Sequence, residues 1–207
     1  MPQVTVDAVE DVGTRTVALT LETPEGFDAE PGQFLLVRAT VDGSEETGYY
    51  TLSSPDVEGT MEITVEYVPE GTLAPWLAAR SPGDTVEIEG PFGDVRYTGD
   101  GSAVVLAEGP GIGPAVGIAE RAREADHDAT VIFWGEDPPH RGRLDALEAD
   151  GATVLVVGAL DEAADTLADA ADATVYVFGF ESFVRDAKTV AEASGVDDVR
   201  AESFGPR

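Results

Sequence analysis

Apolar and polar positions alternate cleanly in two early stretches, Thr16-Val17-Ala18-Leu19-Thr20-Leu21 and Met61-Glu62-Ile63-Thr64-Val65-Glu66. A period of two marks a strand with one face in a core and the other in water. Similar short segments are separated by Gly, Pro and Asp turns. The pattern predicts strands over Val4–Ala8, Thr16–Thr23, Phe34–Ala39, Tyr50–Ser53, Met61–Tyr67 and Thr85–Glu89, with one helical segment, Leu73–Ala79, between them. Six short antiparallel strands at this spacing favour a small barrel or sandwich.

After Tyr97-Thr98-Gly99-Asp100-Gly101 the pattern changes. Ala103–Ala107, Thr130–Trp134, Thr153–Val157 and Thr174–Phe178 are near-continuous apolar runs, as in strands buried on both faces of a parallel sheet. Ala-rich, acid-studded helical segments lie between them, over Pro114–Ala125, Leu144–Ala149, Glu162–Ala171 and Ser182–Ser194. With a last strand at Val199–Ala201 the order is βαβαβαβαβ, which predicts a doubly wound five-stranded parallel sheet. The expected division is an antiparallel β-barrel over residues 1–99 and an α/β domain over 100–207.

Composition narrows the chemistry. With 43% hydrophobic residues the chain buries a real core, and no apolar run is long enough to span a bilayer. No basic-then-apolar leader opens the chain, so a cytoplasmic location is expected. Cys is absent, which excludes disulfides, thiolate metal sites, a cysteine nucleophile and a cysteine-held iron–sulfur cluster on this chain. His127 and His140 have no metal-binding spacing around them, so no metal site is expected.

The charge balance is extreme: 41 Asp and Glu oppose 12 Lys and Arg, for a net charge of −29. The acids run from Asp7 to Glu202 instead of forming a tail, and Lys188 is the single lysine. Such a surface suits molar salt, where the Debye length falls to roughly 3 Å and self-repulsion is screened. Halophilic origin is therefore expected, and nucleic acid and anionic membranes are poor partners.

The candidate chemistry begins at Gly48-Tyr49-Tyr50-Thr51-Leu52-Ser53-Ser54-Pro55. A Tyr beside a Thr offers a flat apolar face next to a hydroxyl, which suits a large heteroatom-rich ring. In the second half, open α/β sheets bind ligands beyond the carboxyl ends of their strands. Those ends carry Glu108-Gly109-Pro110-Gly111-Ile112-Gly113-Pro114, Gly135-Glu136, Gly158-Ala159-Leu160-Asp161, Gly179-Phe180 and Glu202-Ser203-Phe204. The Gly109–Pro114 turn is neither a phosphate loop, lacking its Lys, nor the usual dinucleotide fingerprint, because Pro114 replaces the third Gly. Two readings stay open for it: a helix N-terminus facing an anion, or a tight turn with no ligand.

Taken in order, Tyr50-Thr51, Gly71-Thr72, Pro82-Gly83-Asp84, Gly90-Pro91-Phe92-Gly93, the Gly109–Pro114 turn and Glu202-Ser203-Phe204 resemble the ferredoxin–NAD(P)H reductase family. The resemblance covers essentially the whole chain. It implies a flavin-binding barrel followed by an NAD(P)-binding α/β domain, with FAD and NAD(P)H as cofactors. Tyr50, Thr51, Leu52 and Ser53 would lie along the flavin, with the Thr51 hydroxyl near the atom that exchanges hydride. Gly71 and Thr72, the latter capping the following helix, would face the flavin pyrophosphate. Gly109, Gly111, Ile112, Pro114, Gly135, Asp161, Gly179 and Phe180 would serve the nicotinamide dinucleotide, and Glu202 and Phe204 would flank flavin and nicotinamide. Thr51 and Glu202 are the candidate catalytic residues.

Three positions depart from the family pattern. Gly48 stands where an Arg usually binds flavin phosphate, Ala74 where a Ser is expected, and Phe178 where a Cys commonly helps position nicotinamide. Loss of the Arg removes a charge-assisted contact worth roughly 1.5–3 kcal/mol; Arg38 on a neighbouring strand is the candidate replacement. Asp161 repels a 2′-phosphate and can accept a ribose hydroxyl, which points to NADH over NADPH, while Arg141 and Arg143 argue the other way. Trp76 and Trp134 are expected in the core. The expected function is a flavin-dependent NAD(P)H oxidoreductase that passes electrons to a separate carrier, such as ferredoxin or a partner subunit. The rival is a reductase-like interaction module that has lost flavin, favoured by Gly48, Ala74 and Phe178.

Overall fold

The computed structural model describes residues 2–170, 172–196 and 198–206. Six strands come first: β1 (Gln3–Gly13), β2 (Thr16–Glu22), β3 (Phe34–Val41), β4 (Ser44–Thr51), β5 (Thr60–Glu66) and β6 (Thr85–Phe92). They form an antiparallel sheet in the order β4-β3-β6-β1-β2-β5. A bridge between Leu52, just past β4, and Ile63 on β5 brings the two edge strands together, so the sheet curls into a barrel. Inward side chains alternate with outward ones, and Leu19, Leu21, Leu35, Val37, Ile63 and Val65 fill the interior at 0% exposure. Helix α1 (Leu73–Ala78) packs Leu73 and Leu77 against the same core.

The second half is a parallel sheet of β7 (Ala103–Glu108), β8 (Ala129–Trp134), β9 (Thr153–Val157), β10 (Thr174–Gly179) and β11 (Val199–Ser203), in the order β11-β10-β7-β8-β9. Helices α2 (Ile112–Glu124) and α3 (Arg141–Ala149) cover one face. Helices α4 (Ala164–Asp169) and α5 (Glu181–Ala193) cover the other. The strand order reverses between β7 and β10, the kind of switch point beside which open α/β sheets bind ligands.

The predicted fold class holds, with local corrections. Strand β4 ends where Tyr50–Ser53 was expected to be central, because its first residues, Ser44-Glu45-Glu46-Thr47-Gly48, form a polar edge strand without alternation. The helix expected over Glu162–Ala171 begins as a 3₁₀ turn at Leu160–Ala163 and continues as α4; its expected last residue, Ala171, lies outside the described residues. Tyr97 packs into the core of the parallel-sheet half, its ring edge-on to Tyr176 and its hydroxyl donating to the Gly101 carbonyl at 2.7 Å. Among the described residues, no helix is long and apolar enough to cross a membrane.

Candidate functional site

A cleft of about 490 Å³ opens where the outer face of the barrel meets the end of β11. Phe34, Tyr49, Thr51 and Phe92 line it from the barrel, and Glu202, Ser203, Phe204 and Gly205 from the carboxyl end of the chain. Residues from opposite ends of the sequence therefore converge on one aromatic-walled space, with a hydroxyl and a carboxyl at its rim. Burial, and secondarily the nearby Asp94, push the Glu202 carboxyl above the ordinary glutamate range. The cleft fits a flat, heteroatom-rich ring: aromatic walls for its faces and Thr51 for its polar edge.

Strand geometry sorts the two tyrosines. Tyr49 points outward into the cleft, 69% exposed and edge-on to Phe34 at 5.5 Å. Tyr50 points the other way, packed against the barrel core, and burial pushes its phenol up to about 12. Its ring lies over Gly48, where an added Cβ would stand 3.0 Å from Tyr50 Cε2 and 3.1 Å from Leu73 Cδ2. Leu52 is buried in the barrel, and the Ser53 hydroxyl is engaged with Thr64 at 2.8 Å. Thr72 occupies the N-cap of α1, but its hydroxyl makes no capping hydrogen bond, contrary to expectation; its backbone is already helical at φ −106° and ψ −66°. Arg38, opposite Thr47 in register, turns its guanidinium to Glu45 at 3.5 Å.

A second crevice, of about 340 Å³, lies at the carboxyl ends of β7 and β8. Gly109 and Gly135 line it, with Phe133, Trp134 and four carboxylate residues, Glu66, Glu108, Glu136 and Asp137. No cation is among its described lining residues. Trp134 is 39% exposed here instead of buried, stacked on Phe183 at 5.9 Å with its indole N–H donating to the Gly158 carbonyl. Trp76 does pack against the barrel core, beneath the Arg80 guanidinium. Phe180 donates its backbone N–H to Glu108 and meets Phe204 edge-on. Asp161 is exposed in the 3₁₀ turn after β9.

Gly111, Ile112 and Pro114 are buried. What explains the glycines around them is packing. A Cβ at Gly111 would meet the Phe178 carbonyl of β10, one at Gly113 the Thr64 side chain, and one at Gly117 the Ser53 carbonyl at 2.7 Å. The glycine face of α2 thus lets its backbone press on the barrel.

That seam is also polar. Arg143 on α3 donates to Glu120 on α2 at 2.6 Å, to Glu62 on β5 at 2.7 Å and to the Ser53 carbonyl at 2.7 Å. Burial raises the Glu62 pKa, with the Arg143 charge pulling against it. Thr64 bridges Ser53 to His140 Nε2, each at 2.8 Å. His140 is buried in a left-handed conformation (φ 60°), and burial together with the Arg143 charge pushes its pKa down to about 3, so the imidazole is neutral. Arg143, expected as a candidate for a 2′-phosphate, is committed to this seam, whereas Arg141 is exposed and paired with Asp145. Sequence patterns missed Tyr49, Phe34 and Phe92 as cleft residues and the whole Arg143 cluster.

Residues 3–97 match the oxidoreductase FAD-binding domain. A Methanopyrus kandleri protein named as a probable dihydroorotate dehydrogenase B (NAD(+)), electron transfer subunit, is 35% identical over 130 residues, covering 63% of this chain and 46% of that one. The chain spans less than half the length of the curated relatives it matches. Among solved structures, the Amycolatopsis cytochrome P450 reductase GcoB superposes with a TM-score of 0.82 at 22% identity, over 99% of this chain and 70% of that one. A Neisseria gonorrhoeae ferredoxin NADP+ reductase with bound FAD and NADP superposes with a TM-score of 0.76 at 17% identity, over 98% of both chains. Residues 3–97 are thus similar to the oxidoreductase FAD-binding domain, and the chain as a whole shares its fold with these two reductase structures.

Proposed function

We propose that the chain is a flavin-dependent NAD(P)H oxidoreductase, or the reductase part of a larger assembly, that hands electrons to a separate protein carrier. The observation that carries this is the convergence of Thr51, Glu202 and Phe204 on one aromatic cleft. Bound there, FAD supplies the ability to take a hydride from nicotinamide and release single electrons. The chain's own residues bind, orient and exclude water. Phe34, Tyr49 and Phe92 form the apolar wall, and Phe204 closes the side toward β11. The Thr51 hydroxyl would hold a hydrogen bond at the ring's polar edge, and Glu202, its carboxyl raised by burial and by Asp94, keeps its proton to higher pH than an exposed glutamate.

A division at residue 99 is supported by the FAD-binding match over 3–97 and by the start of β7 at Ala103. The dinucleotide is assigned to the crevice at Gly109 and Gly135, with Asp161 favouring NADH. An exchangeable one-electron carrier such as ferredoxin, a cytoplasmic location and a molar-salt habitat complete the proposal. A net charge of −29 requires salt to screen an acidic carrier's approach.

Protein purified in molar KCl is expected to be yellow or to turn yellow with FAD, and to bleach anaerobically faster with NADH than with NADPH. A protein that stays colourless with excess FAD favours the flavin-free module, which Gly48 and the ring of Tyr50 lying over it support. Faster bleaching by NADPH rejects the role of Asp161.

A further inference from the structure

The Arg143 cluster joins elements that meet nowhere in sequence. Its guanidinium draws together α3, α2 and the barrel, and its Nη2 grips the Ser53 carbonyl, two residues beyond Thr51. The same Ser53 gives its N–H to the Glu62 carbonyl at 2.8 Å, so the segment leaving the cleft is held from both sides. Independently, Gly113 and Gly117, one turn apart on α2, seat that helix directly on Ser53 and Thr64. Helix α2 follows the Gly109–Gly111 turn, whose Gly109 opens on the crevice. Cleft and crevice are therefore tied through one side chain and one glycine face.

We propose that Arg143 is a positioning residue that fixes the crevice at Gly109 against the hydroxyl of Thr51, so that a nicotinamide arriving from one meets a ring held at the other. The catalytic arm rests on the oxidoreductase reading; the mechanical arm does not. A guanidinium suits the task because its rigid fork serves three acceptors at once, which a single ammonium does not reproduce. Glu62 and Glu120 are both carboxylates, so removing the Arg alone would leave two half-buried charges unpaired. The informative variants are therefore R143K and the triple variant E62Q/R143M/E120Q, which leaves no unpaired carboxylate.

The test uses the full FAD-loaded chain in molar KCl. The protein has no Cys, so spin labels at E22C on β2 and E148C on α3, both exposed positions, report the barrel-to-sheet distance without interference. The triple variant is expected to broaden the distance distribution and to slow flavin bleaching at saturating NADH at least tenfold. Its FAD Kd is expected to stay within threefold of wild type, and R143K should fall between the two. An unchanged distribution overturns the lock. A broadened distribution with wild-type bleaching overturns the positioning role. If wild type itself takes up no flavin or fails to bleach, the oxidoreductase reading falls and the positioning role with it, while the distance distribution still decides the lock.

Discussion

The aromatic cleft and the carboxylate-lined crevice offer a ligand opposite physics. The cleft is walled by Phe34, Tyr49, Phe92 and Phe204, and what it offers is apolar surface and ring faces. The crevice presents Glu66, Glu108, Glu136 and Asp137 without a cation among its described lining residues, although a dinucleotide carries two phosphate charges. On the proposed reading, a flavin ring in the first would be held by burial and stacking, which ionic strength changes far less than it changes charge repulsion. A dinucleotide in the second would have to overcome repulsion that salt screens. The contrast lies between ring stacking, which depends little on salt, and the approach of phosphates to carboxylates, which depends on it.

The largest expected effect separates the two directly. Between 0.3 and 3 M KCl, with folding checked by circular dichroism, the KM for NADH should fall about tenfold or more. The Kd of riboflavin, which has the ring without the phosphates of FAD, should move less than threefold over the same range; equal salt dependence of both would break the contrast. Next comes the aromatic wall. Loss of one stacking ring costs about 1 kcal/mol beyond its buried area, so Y49A should weaken FAD binding roughly tenfold by titration of flavin fluorescence. Y50F, which removes only an oxygen on the other face of the strand, should change it less than twofold, and the reverse order would move the flavin contact to the Tyr50 hydroxyl. The smallest effect concerns the rim. Asp94 helps hold the Glu202 pKa high, so D94N should move to lower pH the limb on which bleaching is lost as Glu202 gives up its proton, and E202Q, which cannot ionise, should remove that limb. A profile that ignores both substitutions would take Glu202 out of the chemistry.

How much of this was legible depended on how local each signal was. Alternation in Thr16–Leu21 and Met61–Glu66, and unbroken apolar runs such as Ala103–Ala107, report burial on one or two faces, and both sheets followed from them. The polar edge strand Ser44–Thr51 has no such alternation, so which tyrosine faces outward was not readable there. Thr51, Glu202 and Phe204 were drawn together by family resemblance, not by any local pattern. The partners of Arg143 lie 23, 81 and 90 residues away in sequence, beyond the reach of any periodicity. Gly113 was readable as a turn glycine, but the clearance it provides is against Thr64 on a distant strand.

Phe178 sits fully buried beside Gly111, where the resembling family commonly has a thiol. The substitution completes a chain with no sulfhydryl anywhere. Alkylating agents and mercurials therefore have no cysteine here to attack. In a reconstituted relay of the proposed kind, a thiol-specific reagent would leave this chain untouched: activity lost after treatment would locate the damage in the carrier, and activity retained would show that the carrier, too, works without an accessible thiol.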